Sequence, residues 1–264
     1  MKISAASLVR RLHRVHRGIR KNNSPRAASF IEVERAERIF YLEYLREGMT
    51  VFDVGANVGE LTLLFSRFVG AEGSVHAFEP GGTCYERLAS VCRAASLRNV
   101  QLNRLALAED ETPVRLHVYD EDYLSWTSRA LRPLESYGLD VKPQSIEEAQ
   151  ATTLDLYCER NGVAAIDLLK IDVEGAEFQV LVGARRMLRE RRVRCLTFEF
   201  GQTTFDMGNS PEQIEAYLKE VGYELKNLVG GDPVFPGREG VQTALFSMHV
   251  ATPAASSHAR AKLS

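Results

Sequence analysis

Cysteine is scarce in this 264-residue chain, and its four copies include no C-x-x-C pair: Cys84, Cys92, Cys158 and Cys195. This spacing argues against a zinc knuckle or a redox dithiol. No secretory signal precedes them, so we expect reduced, buried thiols in a cytoplasmic protein. Long apolar runs are also missing, because stretches such as residues 61–65 fall far short of the roughly 18 residues that span a bilayer. No transmembrane helix is predicted.

Acidic residues are absent from the first 31 positions, which hold eight lysines and arginines. With a formal total of −2 and eight positive charges there, the remaining residues carry −10. Such a body does not attract nucleic acid through its overall field, so a nucleic-acid partner is disfavoured. In the basic N-terminal arm, residues 1–29, apolar residues recur at helical spacing: Leu8, Leu12, Val15 and Ile19. Three interpretations stay open, namely an amphipathic helix making peripheral membrane contact, a targeting segment and a solvated arm.

Strand and helix patterns alternate over most of the chain. An amphipathic helix is predicted over residues 30–47 and ends at Gly48. Strand-like segments follow at 51–54, 74–78, 100–103, 114–118, 166–171, 195–200, 223–228 and 243–250, with helical patterns at 58–69, 83–95, 174–190 and 211–220. This alternation predicts an α/β fold with a doubly wound, mostly parallel sheet over residues 30–250. The last two strands are predicted to form a terminal antiparallel hairpin, and residues 251–264 a loose C-terminal tail.

The strongest chemical signal is VFDVGANVGE at residues 51–60. Gly55 and Gly59 let the backbone turn sharply and approach a ligand at the carboxyl end of a strand. The next strand ends at Glu79, whose carboxylate can accept both hydroxyl protons of a ribose. Asp53 precedes the turn, where it would repel the phosphates of a dinucleotide and attract a cation. The sulfonium cofactor S-adenosylmethionine fits such a turn, although singly Asp53 could cap a helix and Glu79 could be a surface carboxylate.

Three motifs in order carry a family resemblance. VFDVGANVGE and HAFEP at 76–80 resemble the first two motifs of class I S-adenosylmethionine-dependent methyltransferases. Residues 152–184, with KIDVEGAE at 170–177, are similar to the signature of the FkbM-type methyltransferases. The resemblance covers residues 40–200. It implies a seven-stranded Rossmann-like fold, S-adenosyl-L-methionine as cofactor, and transfer of a methyl group to hydroxyls of sugars, polyketides or lipid-linked saccharides.

The resemblance also implies which residues hold the cofactor. Its methionine half would contact the residues of the glycine turn: Asp53, Gly55, Ala56, Asn57 and Gly59. Glu79 would hold the ribose. Residues 103–107 would pass the adenine, with Ala106 and Leu107 as its nearest neighbours.

The carboxylates of KIDVEGAE are the candidates for catalysis. Asp172, with Glu174 beside it, is predicted to orient the acceptor hydroxyl and take its proton. Glu177 has a structural interpretation, because an acid in the first turn stabilises a helix. Glu199, at the end of the next strand, could join Asp172 around a divalent metal ion. The Asp–Asn partner of the known metal-dependent pattern is missing, so no metal site is predicted and metal dependence stays open.

A long irregular insertion is predicted over residues 119–150, and it contains the only tryptophan, Trp126. Long loops in compact domains are often lids or binding segments, so these aromatics either contact an acceptor or pin the loop to the body. Three histidines in strand-like patterns are interpreted as packing residues: His76, His117 and His249.

The combined prediction is an S-adenosylmethionine-dependent O-methyltransferase acting on a small-molecule or glycan/lipid-linked acceptor. One alternative is a nucleic-acid methyltransferase that holds phosphates with the basic arm. Another is a catalytically inactive cofactor-binding fold that works as a membrane-tethered interaction module.

Overall fold

A computed structural model describes residues 25–228 and 246–255 of the chain. The strands are β1 (Thr50–Val54), β2 (Ser74–Phe78), β3 (Val100–Asn103), β4 (Ala106–Leu107), β5 (Val114–Val118), β6 (Ser145–Ala149), β7 (Ala151–Thr152), β8 (Leu168–Ile171), β9 (Leu196–Gly201), β10 (Tyr223–Asn227) and β11 (Phe246–Pro253). The α-helices are α1 (Pro25–Tyr44), α2 (Glu60–Val69), α3 (Gly82–Ala94), α4 (Leu154–Arg160), α5 (Glu177–Gly183), α6 (Arg185–Arg189), α7 (Gln202–Asp206) and α8 (Pro211–Glu220).

The main sheet has seven strands in the order β10-β11-β9-β8-β1-β2-β3. The pairs β1–β2, β1–β8, β2–β3 and β8–β9 are parallel, whereas β11 runs antiparallel to both β10 and β9. The predicted doubly wound, mostly parallel seven-stranded sheet with a terminal antiparallel hairpin is confirmed. Strand order reverses between β1 and β8, and in such sheets ligands bind beyond the carboxyl ends of the strands at that point.

Helices cover both faces of the sheet, because successive side chains of a strand point to opposite faces. On one face Phe52, Leu169 and Leu196 pack against α4, α5, α6 and α8. On the other face Val51 and Leu168 pack against α1 and α2. This arrangement brings the residues that follow β1, β2, β8 and β9 to one edge of the sheet.

The first helix begins earlier and ends earlier than the prediction of 30–47, since α1 spans Pro25–Tyr44. The boundary predicted at residue 29 therefore falls inside α1. Residues 1–24, on which the membrane, targeting and solvated-arm interpretations depend, lie outside the described residues.

The helix predicted over 174–190 begins only at Glu177 and is divided into α5 and α6. Glu174 and Gly175 have φ of +55° and +107°. Left-handed backbone cannot continue a right-handed helix. The β8–α5 connection is therefore a loop, and this loop carries the predicted catalytic residues.

The strand at 114–118 does not join the main sheet. As β5 it pairs antiparallel with β6, which lies inside the insertion predicted to be irregular over 119–150. That prediction is wrong for Ser145–Ala149, whose sequence SIEEA shows no apolar alternation and is held in place by its pairing. Residues 251–253, predicted to belong to the C-terminal tail, are part of β11, which continues through Pro253.

The packing predictions hold for the four cysteines, His76 and His249, whereas that for His117 stays a prediction. All four cysteines are buried and free. His76 stacks on Phe52 at 4.7 Å between ring centroids, and His249 stacks on Phe198 at 5.2 Å. Among the helices that the structure describes, none is long and apolar enough to cross a membrane.

Candidate active site

The turn after β1 has the conformation that its glycines predict. Gly55, Asn57 and Gly59 have φ of +77°, +49° and +89°. The N–H groups of Gly55 and Ala56 donate to the carbonyl oxygen of Phe78 at 3.0 and 2.9 Å. These bonds fix the turn against the carboxyl end of β2, so the ends of β1 and β2 form one structural unit.

We predict that Gly55→Ala destabilises the fold and impairs ligand binding at this edge. An added Cβ would overlap the carbonyl oxygen of Asp172, and the left-handed backbone disfavours any side chain. Backbone strain should lower the free energy of unfolding by about 1–2 kcal/mol and overpacking by about 1–3 kcal/mol, and the two losses are expected to add. Gly138→Ala is the matched control, since Gly138 has φ +78° and no atom within 4 Å of the added Cβ. Equal losses in urea denaturation of the two variants would contradict the packing argument.

Glu79 is buried rather than a surface carboxylate, and it contacts the glycine turn. Its Oε2 accepts the N–H of Asn57 at 2.9 Å, and its Oε1 accepts the N–H of Gly81 at 2.8 Å. Burial raises the pKa of Glu79 to about 7, against the lowering effect of these two amide bonds and of Lys170. Each carboxylate oxygen can accept a further hydrogen bond, so Glu79 can also take ligand hydroxyls.

Asp53 and Asp172 are joined by a buried lysine. Lys170 Nζ lies 3.4 Å from Asp53 Oδ1 and 3.4 Å from Asp172 Oδ2, and it donates to the carbonyl oxygen of Gly55 at 2.9 Å. Thr62 Oγ1 donates to Asp53 Oδ2 at 2.5 Å. Asp53 is fully buried. It therefore supports the turn from beneath, and its direct contact with the methionine half of a cofactor stays a prediction.

Lys170 is a residue of the site that was not predicted from the sequence. Its burial alone would lower the pKa of the ammonium group, but the carboxylates of Asp172, Asp53 and Glu37 outweigh this and raise the pKa above its ordinary value. The site is thus not simply negative, because an ammonium group lies between two of its acids. A lysine inside the apolar strand LLKI was the available signal, since a fully buried lysine needs partners.

Three further carboxyl groups face Asp172. Residues 171 and 198 are partners in the β8–β9 register, which brings Glu199 next to Asp172. Burial, followed by repulsion from Asp172, raises the pKa of Glu199 well above its ordinary value and that of Glu174 to about 8. Burial, followed by Asp172, also raises the pKa of Glu37 in α1 to about 7. Protons are therefore held among these acids near neutral pH, while Asp172 stays 35% exposed.

The Glu177 side chain stabilises the loop between β8 and α5 through hydrogen bonds. Its Oε1 accepts the N–H groups of Val173 and Gly175 at 3.0 and 3.1 Å, and the side chain is buried. Burial raises its pKa to about 7. These contacts agree with the structural interpretation of Glu177.

The segment predicted to pass the adenine begins beside Glu79, whose N–H donates to the carbonyl oxygen of Asn103 at 3.0 Å. Ala106 and Leu107 form β4, which pairs with β7, and both side chains are buried in hydrophobic clusters. Their contact with adenine stays a prediction. Over the described ranges, no three His, Cys, Asp or Glu side chains are grouped as metal ligands.

The insertion lies over the loop that carries the catalytic candidates. Ser128 Oγ donates to the carbonyl oxygen of Glu174 at 2.7 Å, and Arg132 lies 3.5 Å from the Glu174 carboxylate. Tyr119 and Leu124 are buried, so part of the insertion is pinned to the body. Trp126 pairs with Tyr123 at 4.7 Å between ring centroids and is half-buried.

Known proteins are similar to this chain in sequence and in fold. The Methyltransferase FkbM domain matches residues 53–225. The 31-O-demethyl-FK506 methyltransferase FkbM of Streptomyces tacrolimicus is 31% identical over 224 residues, covering 76% of this chain and 81% of that protein. The 2-O-methyltransferase NoeI of Sinorhizobium fredii (strain NBRC 101917 / NGR234) is 27% identical over 197 residues, covering 70% of this chain and 74% of that protein. The crystal structure of Methyltransferase FkbM from Methylobacillus flagellatus KT is 15% identical and aligns with a TM-score of 0.50, covering 93% of this chain and 60% of that one.

The fold, the acidic glycine turn and these relatives define an S-adenosylmethionine-dependent methyltransferase. A phosphate-free, cationic donor matches a turn that has Asp53 beneath it and Glu79 beside it. The match covers the turn, the β8 strand and the loop of KIDVEGAE, so it includes every predicted site residue. The chain belongs to the FkbM methyltransferase family.

Proposed function

We propose that this enzyme methylates a hydroxyl group of a sugar, polyketide or related biosynthetic intermediate, with Asp172 as the residue that takes the hydroxyl proton. The observation that carries the proposal is the ion pair of Asp172 with Lys170 at the sheet edge, 3.4 Å between Nζ and Oδ2. Two relatives are named for transfer to oxygen, one as a 31-O-demethyl-FK506 methyltransferase and one as a 2-O-methyltransferase.

The residues present fit the cofactor. Gly55, Asn57 and Gly59 would hold its methionine half, and Glu79 would accept the ribose hydroxyls with lone pairs that its two amide bonds leave available. Bound there, S-adenosylmethionine supplies a methyl group already activated by a positively charged sulfur. What the protein must add is alignment of the acceptor oxygen and a place for its proton.

Asp172 is suited to that task because its side chain is accessible and lies beside the Lys170 ammonium group. Its side chain is the partly exposed member of the carboxylate pair that flanks Lys170. Burial raises the pKa of Glu174 to about 8 and that of Glu199 well above its ordinary value, so these neighbours already hold protons near neutral pH and Asp172 is the partly exposed carboxylate left to accept one. Lys170 also fixes Asp172 relative to the glycine turn through its bond to the Gly55 carbonyl.

The test is calorimetric titration with S-adenosylmethionine, followed by transfer of a radiolabelled methyl group to saccharide, polyketide and RNA acceptors with and without a chelator. We expect cofactor binding and label on a hydroxyl-bearing saccharide or polyketide. Label on RNA alone would contradict the proposal. Binding without transfer to any acceptor would favour an inactive interaction module.

Cofactor affinity is expected to fall as the pH drops below 7. The ionised carboxylate of Glu79 is the better acceptor for ribose hydroxyls, and its pKa of about 7 means that protonation competes with binding there. The dissociation constant of S-adenosylhomocysteine should rise by up to about tenfold per pH unit between pH 7 and 5.5. Glu79→Gln should bind more weakly and without this dependence. An unchanged slope in the variant would assign the titration to another group.

A further inference from the structure

The guanidinium group of Arg132 is buried between the carboxyl groups of Glu174 and Asp206. Its Nη1 lies 3.5 Å from Glu174 Oε2 and its Nε lies 3.7 Å from Asp206 Oδ2, with the side chain 12% exposed. Both nitrogens are buried and make no hydrogen bond within the part of the chain that the structure describes. Buried donors in native proteins are normally satisfied, so two unsatisfied ones on one side chain point to a ligand.

Arg132 lies near the loop that carries Asp172, the proposed proton acceptor. Glu174 follows Asp172 by two residues on the same loop, and repulsion between these two acids contributes to the raised pKa of Glu174. Ser128 ties the insertion to this loop through the Glu174 carbonyl. Asp206 ends α7, which directly follows β9. A group bound to Arg132 would therefore belong to the molecule whose hydroxyl Asp172 deprotonates.

The neighbours of Arg132 restrict the chemistry of that group. A carboxylate or phosphate would be repelled by the acids Glu174 and Asp206, and a cation would be repelled by the guanidinium group. An apolar group would leave the donors unsatisfied. A neutral hydroxyl fits, because it can accept from Arg132 and donate to either acid.

We propose that Arg132, with Glu174 and Asp206, binds a second hydroxyl group of the acceptor, so that the enzyme selects neutral acceptors with at least two hydroxyl groups on one ring. This inference rests on the proposed function, since it assigns the subsite to the methyl acceptor. Arg132 is then a specificity-determining residue, and loss of it should remove the preference for a diol rather than cofactor binding.

Trp126 provides a reporter for this subsite. It is the only tryptophan in the chain, and the Arg132 Cζ lies 5.2 Å from its ring centroid. A ligand that engages the guanidinium group changes the surroundings of the indole. Binding can therefore be followed by intrinsic fluorescence without knowledge of the natural acceptor.

The experiment titrates the enzyme, saturated with S-adenosylhomocysteine, with four six-membered ring compounds. These are cis- and trans-1,2-cyclohexanediol, cyclohexanol and cyclohexanecarboxylate. We expect a saturable change in Trp126 fluorescence with at least one diol, about tenfold weaker binding of cyclohexanol, and no binding of the carboxylate. Arg132→Gln should reduce diol affinity to that of cyclohexanol, while S-adenosylhomocysteine affinity by calorimetry stays within about threefold.

Arg129→Gln is the matched control in the same insertion. Arg129 pairs with Glu109 at 2.8 Å, so its removal should leave the diol preference unchanged. If Arg132→Gln lowers the melting temperature markedly, Arg132→Lys keeps the charge without the Nε donor and should still lose selectivity. Equal binding of diol and cyclohexanol, preference for the carboxylate, no saturable response to either diol, or retained selectivity in both Arg132 variants would overturn the inference. Failure of S-adenosylhomocysteine to bind would instead count against the proposed function.

Discussion

Asp172→Asn is expected to lower the rate of methyl transfer by roughly 10²- to 10⁴-fold, the usual contribution of a general base. Asparagine keeps the shape of the side chain and can still accept a hydrogen bond, but it cannot take a proton. The residues predicted to bind the cofactor follow β1 and β2 rather than β8, so S-adenosylhomocysteine should bind with nearly unchanged affinity. Initial rates with a labelled methyl donor, together with calorimetric titration, measure the two quantities.

A surface acid is the control for this prediction. Asp110→Asn removes an exposed carboxylate from a loop between β4 and β5 and should leave the rate unchanged. Near-normal turnover of Asp172→Asn would reject the proton-accepting role. Glu174→Gln would then be the next variant to assay, because Glu174 is the neighbouring candidate on the same loop.

The fold was predictable because its signals are local and strong. Each central strand is a short apolar run, and Gly55 and Gly59 indicate a sharp turn after β1. Parallel strands place their carboxyl ends at one edge, so the proximity of Asp53, Glu79 and Asp172 could be inferred from their positions at or near strand ends.

Contacts between distant segments could not be predicted in the same way. The pairing of β5 with β6 depends on a strand that lacks apolar alternation. Glu37 reaches the site because Tyr41 donates to it at 2.9 Å and lies 2.9 Å from Thr197 in β9. Nothing in the helical pattern of α1 distinguishes Glu37 from Glu32 and Glu43, which are exposed, because the distinction arises only from packing on the sheet.

The ion pair of Lys170 could not be predicted from the sequence alone. In the segment LLKI the lysine only interrupts an apolar strand, whereas the β1–β8 register pairs it directly with Asp53. That register follows from strand order, which is a property of the whole chain. The crevice that was predicted to be acidic therefore also contains one cation, the Lys170 ammonium group.

Lys170→Met is expected to lower the free energy of unfolding by about 3–5 kcal/mol, the range for breaking a buried ion pair by removal of one partner. The ammonium group is 3% exposed and lies 3.4 Å from both Asp53 and Asp172. Methionine has a similar length, so the loss comes chiefly from a negative charge left in the protein interior. Urea denaturation at pH 7 measures it. Lys219→Met breaks an exposed pair with Glu215 and should change the stability by less than about 1 kcal/mol.

A double variant separates charge from packing. Asp53→Asn in the Lys170→Met background removes the unpaired buried charge while keeping nearly the same volume, so Lys170→Met/Asp53→Asn should be more stable than Lys170→Met alone. Because Asp53 is fully buried and Asp172 is partly exposed, Asp172→Asn in the same background should recover less stability. This order follows from desolvation, since solvent screens the exposed carboxylate and not the buried one. If neither second substitution recovers stability, the lysine stabilises the fold through its aliphatic chain and its bond to the Gly55 carbonyl, and the ion pair contributes little.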